Sequence, residues 1–205
     1  MHESRAGVLF DLDGTLVDTN YLHTLAWSRA LHDVGMWAPM NAIHRLVGMG
    51  GDQLVPRLLG HDVPGASDAR SRRYNELLGE VRAFPGAAEL LRNLHNAGVA
   101  VVLATSSPPD ELDAKQDVDK SKPAPDLFHA AMRAGMIEPA RALAVGDSVW
   151  DLQAARAAGL GCVGVETGGF SQHELAEAGA LHVYQDVREI GRQLLTGPLA
   201  TLLSG

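Results

Sequence analysis

Gly7-Val-Leu-Phe-Asp-Leu-Asp-Gly-Thr15 decides how this chain is read. A short apolar run, with no polar residue alternating through it, stops abruptly at acids and a glycine. Unalternated runs suit strands that are buried on both faces, as in a parallel sheet covered by helices. The same form recurs at Gly98-Val-Ala-Val-Val-Leu-Ala104, Ala142-Leu-Ala-Val-Gly146 and Gly161-Cys-Val-Gly-Val165, and more weakly at Leu181-His-Val-Tyr184. Between the runs, helical spacing predicts helices over Ala87–Ala97, Pro125–Ala134, Val149–Ala158, His173–Ala178 and Val187–Leu195, several stopping at glycine. Strand–helix repetition of this kind predicts an α/β domain with a Rossmann-like, doubly wound parallel sheet.

One region breaks the alternation. From Asp18 to Ala83 the patterns are helical only, over Tyr21–Val34, Asn41–Val47, Asp52–Leu59 and Asp68–Val81. The chain is therefore expected to divide into an α/β core, residues 1–17 and 85–205, and an inserted all-helical domain, residues 18–84. Its two crossings, near Thr15–Asp18 and Arg82–Gly86, are natural hinges for a lid.

Composition narrows the function classes. The 205 residues are 46% hydrophobic and 20% charged, enough to bury a sizeable core and too apolar for a disordered chain. The formal charge of −8 is the wrong sign for a general nucleic-acid binder. The run Ala97–Ala104 falls far short of the ~18 apolar residues a membrane span needs, and Met1–Arg5 does not open like a signal peptide. The single cysteine, Cys162, leaves no internal disulfide. A cytoplasmic protein with no nucleic-acid or membrane partner is expected.

Ligands of open α/β sheets bind beyond the carboxyl ends of the strands. There stand Asp11, Asp13, Gly14 and Thr15; Thr105, Ser106 and Ser107; and Gly146, Asp147 and Ser148, with Asp151 one helical turn on. Lys122, in Ser121-Lys-Pro123, precedes a predicted helix. Asp11, Asp13 and Asp147 gathered together repel one another and call for a hard cation; oxygen ligands in that number suit Mg²⁺. Hydroxyls and an ammonium beside such a cluster receive anionic oxygens, which points to phosphoryl transfer with a carboxylate nucleophile and a second carboxyl as acid and base.

Four segments now resemble, in order, the four motifs of the haloacid dehalogenase superfamily: Phe10-Asp-Leu-Asp-Gly-Thr-Leu-Val-Asp18, the strand end at Thr105, Ser121-Lys-Pro-Ala-Pro-Asp126 and Gly146-Asp-Ser-Val-Trp-Asp151. The resemblance spans nearly the whole chain. It implies a helical cap after the first motif, Asp11 as nucleophile and Mg²⁺ ligand, and Asp13 as general acid/base whose backbone carbonyl also ligates the ion. It further implies Asp147 as a metal ligand, Asp151 supporting the metal or its waters, and Thr105 and Lys122 holding the phosphoryl group, with Ser106 the alternative hydroxyl. The dehalogenase members lack an acid at the position of Asp13, so the resemblance favours the phosphatase branch, of phosphoglycolate phosphatase or β-phosphoglucomutase type. Thr19 and His23 look like the hinge threonine and cap histidine of the phosphomutases, which makes His23 a candidate substrate contact. Against a mutase, no arginine stands near Gly50-Gly51, and Gly146-Asp147 with a distal Asp151 follows the phosphatase style. The expected partner is a small phosphorylated metabolite; a sugar phosphomutase, a 2-haloacid dehalogenase and a non-catalytic phosphoacceptor are the rivals.

Other features carry bland readings. Arg70-Ser-Arg-Arg73 reads as a solvated face or as a source of one arginine for a substrate anion. Gly48-Met-Gly-Gly51 reads as a specificity loop or a helix–helix turn, and Trp27, Trp37 and Trp150 as packing residues. Only 16 residues separate Thr105 from Lys122. That is too few for the helix, extra strand and loop that the resemblance implies there, so roughly 20 residues, the length of a helix plus an edge strand, are expected to be missing from the core, by natural deletion or by loss from the sequence.

Overall fold

The computed structural model describes residues 5–105 and 121–203. Five parallel strands form one sheet in the order β2-β1-β3-β4-β5. They are β1 (Arg5–Phe10), β2 (Ala100–Leu103), β3 (Ile137–Gly146), β4 (Gly161–Val165) and β5 (Val183–Tyr184). Nine helices accompany them among the described residues: α1 (Asn20–Asp33), α2 (Met40–His44), α3 (Gly51–Leu59), α4 (Ala66–Asn75), α5 (Ala87–Asn96), α6 (Asp126–Gly135), α7 (Val149–Ala157), α8 (Gln172–Glu177) and α9 (Val187–Arg192).

The unalternated runs behave as expected of strands covered twice. Val8, Phe10, Leu143, Val145, Val163 and Val165 pack with Ala87, Leu90 and Leu94 of α5 and with Val187 and Ile190 of α9. Their chain neighbours Leu9, Ala142, Ala144 and Cys162 face the other way, onto Leu127, Phe128 and Ala131 of α6, Leu152 and Ala155 of α7 and Leu175 of α8. Successive side chains of a strand point to opposite faces, so each run feeds two cores. Burying one such leucine or valine contributes roughly 1.5–3 kcal/mol.

β3 begins at Ile137, five residues ahead of the Ala142 start read from the sequence. Its first pair with β1 is Arg5 with Ile137 and the next is Gly7 with Ala142, so the strand slips register between them. Glu138, Pro139, Ala140 and Arg141 in that slip are exposed, which hides the strand from a reading based on apolar runs.

Helices α1 to α4 occupy the stretch between β1 and α5, with no strand among them. They enclose their own apolar cluster, Trp27, Leu31, Ala38, Ile43, Met49, Leu54, Val55 and Ala66. The two crossings run side by side: Asp18 N–H donates to the Arg82 carbonyl at 2.8 Å and Phe84 N–H to that of Leu16 at 2.9 Å. The expected final helix stops at Arg192, and Asp68–Val81 resolves into α4 followed by a 3-10 turn at Leu78–Glu80. Trp37, read as a packing residue, is 77% exposed; Trp27 and Trp150 are buried. Residues 106–120 of the short span between Thr105 and Lys122, Ser106 among them, lie outside the described residues.

Candidate active site

Sheet register assembles the site. Phe10 pairs with Leu103 on one side and Val145 on the other. The next residues of the three strands, Asp11, Ala104-Thr105 and Gly146-Asp147, therefore leave the sheet at one edge. Asp11 N–H donates to the Val145 carbonyl at 2.9 Å, and Ala104 N–H to that of Phe10 at 2.7 Å. Immediately after Asp11 the chain turns back, and Gly14 takes φ +78°. A Cβ there would lie 2.4 Å from Asp147 Oδ2 and from Asn20 Nδ2, so only glycine fits.

Asp11, Asp147 and Asp151 are all buried, and one carboxylate oxygen of each lies within 4.8 Å of the others. Lys122, fully buried, donates to Asp11 Oδ1 at 2.5 Å and pairs with Asp151 Oδ1 at 2.6 Å. Three carboxylates thus face one ammonium in a dry setting. Burial drives Asp11 well above the ordinary carboxylate range; Lys122 pulls it back, while Asp151, Asp147 and Asp13 add to the rise. Burial, then Asp151, push Asp147 up to about 7, against hydrogen bonds from Asn20 and Thr15. Burial opposes the charge on Lys122, but Asp11 and Asp151 outweigh it and hold the ammonium above its usual range. An all-oxygen cluster with this excess of negative charge fits a divalent cation, which would let the acids ionise together.

The surroundings fix each acid. Thr15 donates to Asp147 Oδ1 at 2.9 Å and Asn20 to Oδ2 at 2.8 Å. Gly168 lies against the same carboxylate, leaving no room for a Cβ, which would sit 1.9 Å from Oδ2. Ser148 caps α7: its hydroxyl accepts from Asp151 N–H, and its own backbone N–H donates to Asp151 Oδ2 at 3.1 Å.

Asp13 lives differently. Thr19 donates to its Oδ1 at 2.6 Å, Thr105 to Oδ2 at 3.4 Å, and His23 Nε2 approaches Oδ1 at 2.9 Å. Arg70 stands 2.6 Å behind, at His23 Nδ1. A guanidinium only donates, so Nδ1 accepts and the ring's hydrogen is on Nε2, the nitrogen that lies 2.9 Å from Asp13 Oδ1. Tyr74 stacks on the imidazole with centroids 4.2 Å apart. Arg70 is thus buried behind the site rather than on a solvated face, whereas Arg73 pairs with Asp33 and Glu76 on the surface.

A cavity of about 220 Å³ opens over Asp11 and Asp13, walled by His23, Trp27, Arg70, Asp52 and the Val47–Gly51 loop. Among the sequence-expected residues the structure brings Asp11, Asp13, His23, Thr105, Lys122, Asp147 and Asp151 to one place. Thr15, Asn20 and Gly168, which hold Asp147, were given no role by the sequence. Thr15 stands in the first motif and Asn20 two residues beyond it, but nothing in their own residue type distinguishes a ligand's partner from a helix cap. Gly168 comes from the far end of the chain and carries no local signal.

Comparison with known proteins agrees with this arrangement. Residues 6–159 match the family model of haloacid dehalogenase-like hydrolases. The protein CbbY of Cereibacter sphaeroides is 31% identical over 94% of this chain and 98% of its own length. A phosphoglycolate phosphatase of Pseudomonas savastanoi pv. phaseolicola is 30% identical over 89% of this chain and 77% of its own. The crystal structure of a hydrolase from Pseudomonas syringae superposes with a TM-score of 0.87 at 33% identity, covering 93% of this chain and 98% of that one. With the four motifs gathered at one sheet edge and these matches spanning most of its length, the chain belongs to the haloacid dehalogenase-like hydrolases.

Proposed function

We propose that the protein is a Mg²⁺-dependent phosphomonoester hydrolase that works through an aspartyl-phosphate on Asp11, with residues 18–84 as its cap. The observation that carries this reading is the contrast between the two acids of one turn. Asp11 sits with Lys122 in the cation-demanding cluster; Asp13 sits apart, hydrogen-bonded by Thr19 and Thr105 with the His23 imidazole alongside. Environments this different divide the labour between nucleophile and acid/base. A dehalogenase reading leaves Asp13 and its shell without a task.

In the first step an Asp11 carboxylate oxygen attacks phosphorus and the ester P–O bond breaks, while Asp13 gives its proton to the leaving alcohol oxygen. In the second, Asp13 takes a proton from water as the water oxygen attacks phosphorus, and the Asp11–phosphorus bond breaks to release phosphate. Lys122 keeps Asp11 poised and receives phosphoryl oxygens together with Thr105 or Ser106. His23, aligned by Arg70, orients Asp13 toward the leaving group in the cavity. Asp11, the Asp13 backbone carbonyl, Asp147 and Asp151 would hold the Mg²⁺, which neutralises charge on the transferring group when bound.

The substrate is a small phosphorylated metabolite, in keeping with the phosphoglycolate phosphatase among the relatives and with the size of the cavity. Phosphate release across a panel of such esters with Mg²⁺ tests the reading. Asp11→Asn should lower kcat by at least about a thousandfold, as loss of a covalent nucleophile does; retained turnover overturns the assignment. The contacts of Thr19 and His23 with Asp13 favour, as a second reading, a sugar phosphomutase, which strict dependence on a sugar bisphosphate would select.

A further inference from the structure

Trp150 belongs to the core helix α7, one residue before Asp151, yet its side chain is a member of the helical insertion's apolar cluster, beside Trp27, Met49 and Leu54. Its indole N–H donates to the Arg45 carbonyl at 3.2 Å. The Arg57 guanidinium lies 5.0 Å from the ring centroid. A Cβ on Gly48 would come 3.3 Å from the indole Cδ1 and 2.9 Å from the Ser148 hydroxyl, so the loop crosses directly over this turn.

Arg45 is clasped a second time. Its guanidinium stacks 4.0 Å over the Phe170 ring and pairs with Glu174 of α8. At the other end of the same loop, Asp52 accepts from Ser121, the neighbour of Lys122, at 2.5 Å. The segment between these anchors, Val47–Gly51, is the wall of the cavity over Asp11 and Asp13. Three of its five residues are glycine and have no side chain to hold them; the other two, Val47 and Met49, are buried, Met49 in the same cluster as Trp150.

We propose that Trp150 is a positioning residue: rooted on the turn that carries Asp147 and Asp151, it fixes loop 45–51 over the catalytic acids and so sets how the leaving group is received. The inference rests on the reading of this cavity as a phosphoester site. Physically, an indole offers both things a latch needs, a large apolar face that is costly to withdraw from the cluster and one N–H of defined direction. The latch places the loop by the same turn that presents Asp151 to Lys122, so loop and acids share one frame.

Amide hydrogen exchange on the full chain, wild type against Trp150→Phe, tests the placement without requiring turnover. Phenylalanine keeps an aromatic ring in the cluster and removes the N–H. Residues 45–51 should exchange about tenfold faster, the size of effect that loss of one hydrogen bond brings, while β1 and β3 keep their rates. Arg45→Ala, which leaves the core sequence intact, should loosen the same segment. In the phosphatase assay, Trp150→Phe should raise KM for the preferred metabolite ester while its kcat for acetyl phosphate, which has a much smaller leaving group to place, stays within about twofold of wild type. Unchanged exchange at 45–51, or acceleration spread equally through β1 and β3, overturns the proposal, as does an equal loss on both substrates. A wild-type protein that cleaves no phosphoester would refute the hydrolase reading alone, since the exchange result stands on its own.

Discussion

Asp11 and Asp13 are two residues apart and chemically identical, so the different roles proposed for them rest on their neighbours. The Thr19 and Thr105 hydroxyls donate to Asp13, which borders the cavity where the proposed leaving group would sit. Asp13→Asn should cut turnover of an alkyl phosphate by roughly 10²–10⁴-fold, the usual contribution of general acid–base catalysis. The first step on p-nitrophenyl phosphate, whose leaving group needs no proton, should suffer much less; burst kinetics separate the two. Asp147 makes a different prediction. Its folded-state pKa, about 7, lies above its ordinary 3.8. For an acid whose pKa rises on folding, the stability is fully present below the ordinary value and is lost as pH rises through the folded one. With divalent ions chelated, the melting temperature should therefore fall from about pH 4 through about pH 7, and added Mg²⁺ should remove most of that fall. A flat profile in EDTA would contradict the crowding of acids described here.

At the scale of elements, the turns matter more than the strands. The turn into α7 carries the cap residue Ser148, the ligand candidates Asp147 and Asp151, and Trp150. The 3-10 turn Glu166–Gly168 after β4 closes over Asp147 from the other side. Gly168→Ala should displace the Asp147 carboxylate and weaken metal-dependent activity about 10–100-fold, the range found for disturbed outer-shell partners. The Cβ would also come 2.7 Å from the Asp147 backbone carbonyl, so the melting temperature should fall too, and titration of activity against Mg²⁺ below that temperature reads the effect on the metal. Helix and strand positions were largely legible in advance because each buried run is bounded by glycine or acids. β3 was the exception, as its first turn of chain is exposed and irregular, and the α9 boundary was overrun because Leu194-Leu195 prolong the apolar spacing past the last helical turn.

For the molecule as a whole, two apolar cores flank the sheet and a third fills the helical insertion, with Trp150 crossing from one unit into the other. The carboxyl edge of the sheet, where the acids collect, is the side the insertion covers through His23, Arg70 and the Val47–Gly51 loop. Both crossings pair with each other beside Asp13 and Thr19, so in the proposed mechanism any movement of the insertion would pass through the surroundings of the general acid. No helix among the described residues is long and apolar enough to cross a membrane. Cys162 is buried in β4, and burial pushes its thiol up, which favours the unreactive protonated form.

The sequence by itself determined the sheet, the helical insertion and the acids at the strand ends, because these rest on local signals: unalternated apolar runs, helical spacing, and motifs within a few residues. It also left Arg70 and Trp150 among several bland readings. Only the tertiary structure decided that Arg70 stands behind His23, that Gly168 seals Asp147, and that Trp150 grips the loop opposite. Those contacts join residues 47, 21 and 105 positions apart (Arg70 with His23, Gly168 with Asp147, Trp150 with Arg45). Nothing in the residue type of an arginine, a glycine or a tryptophan announces which distant partner packing will bring to it.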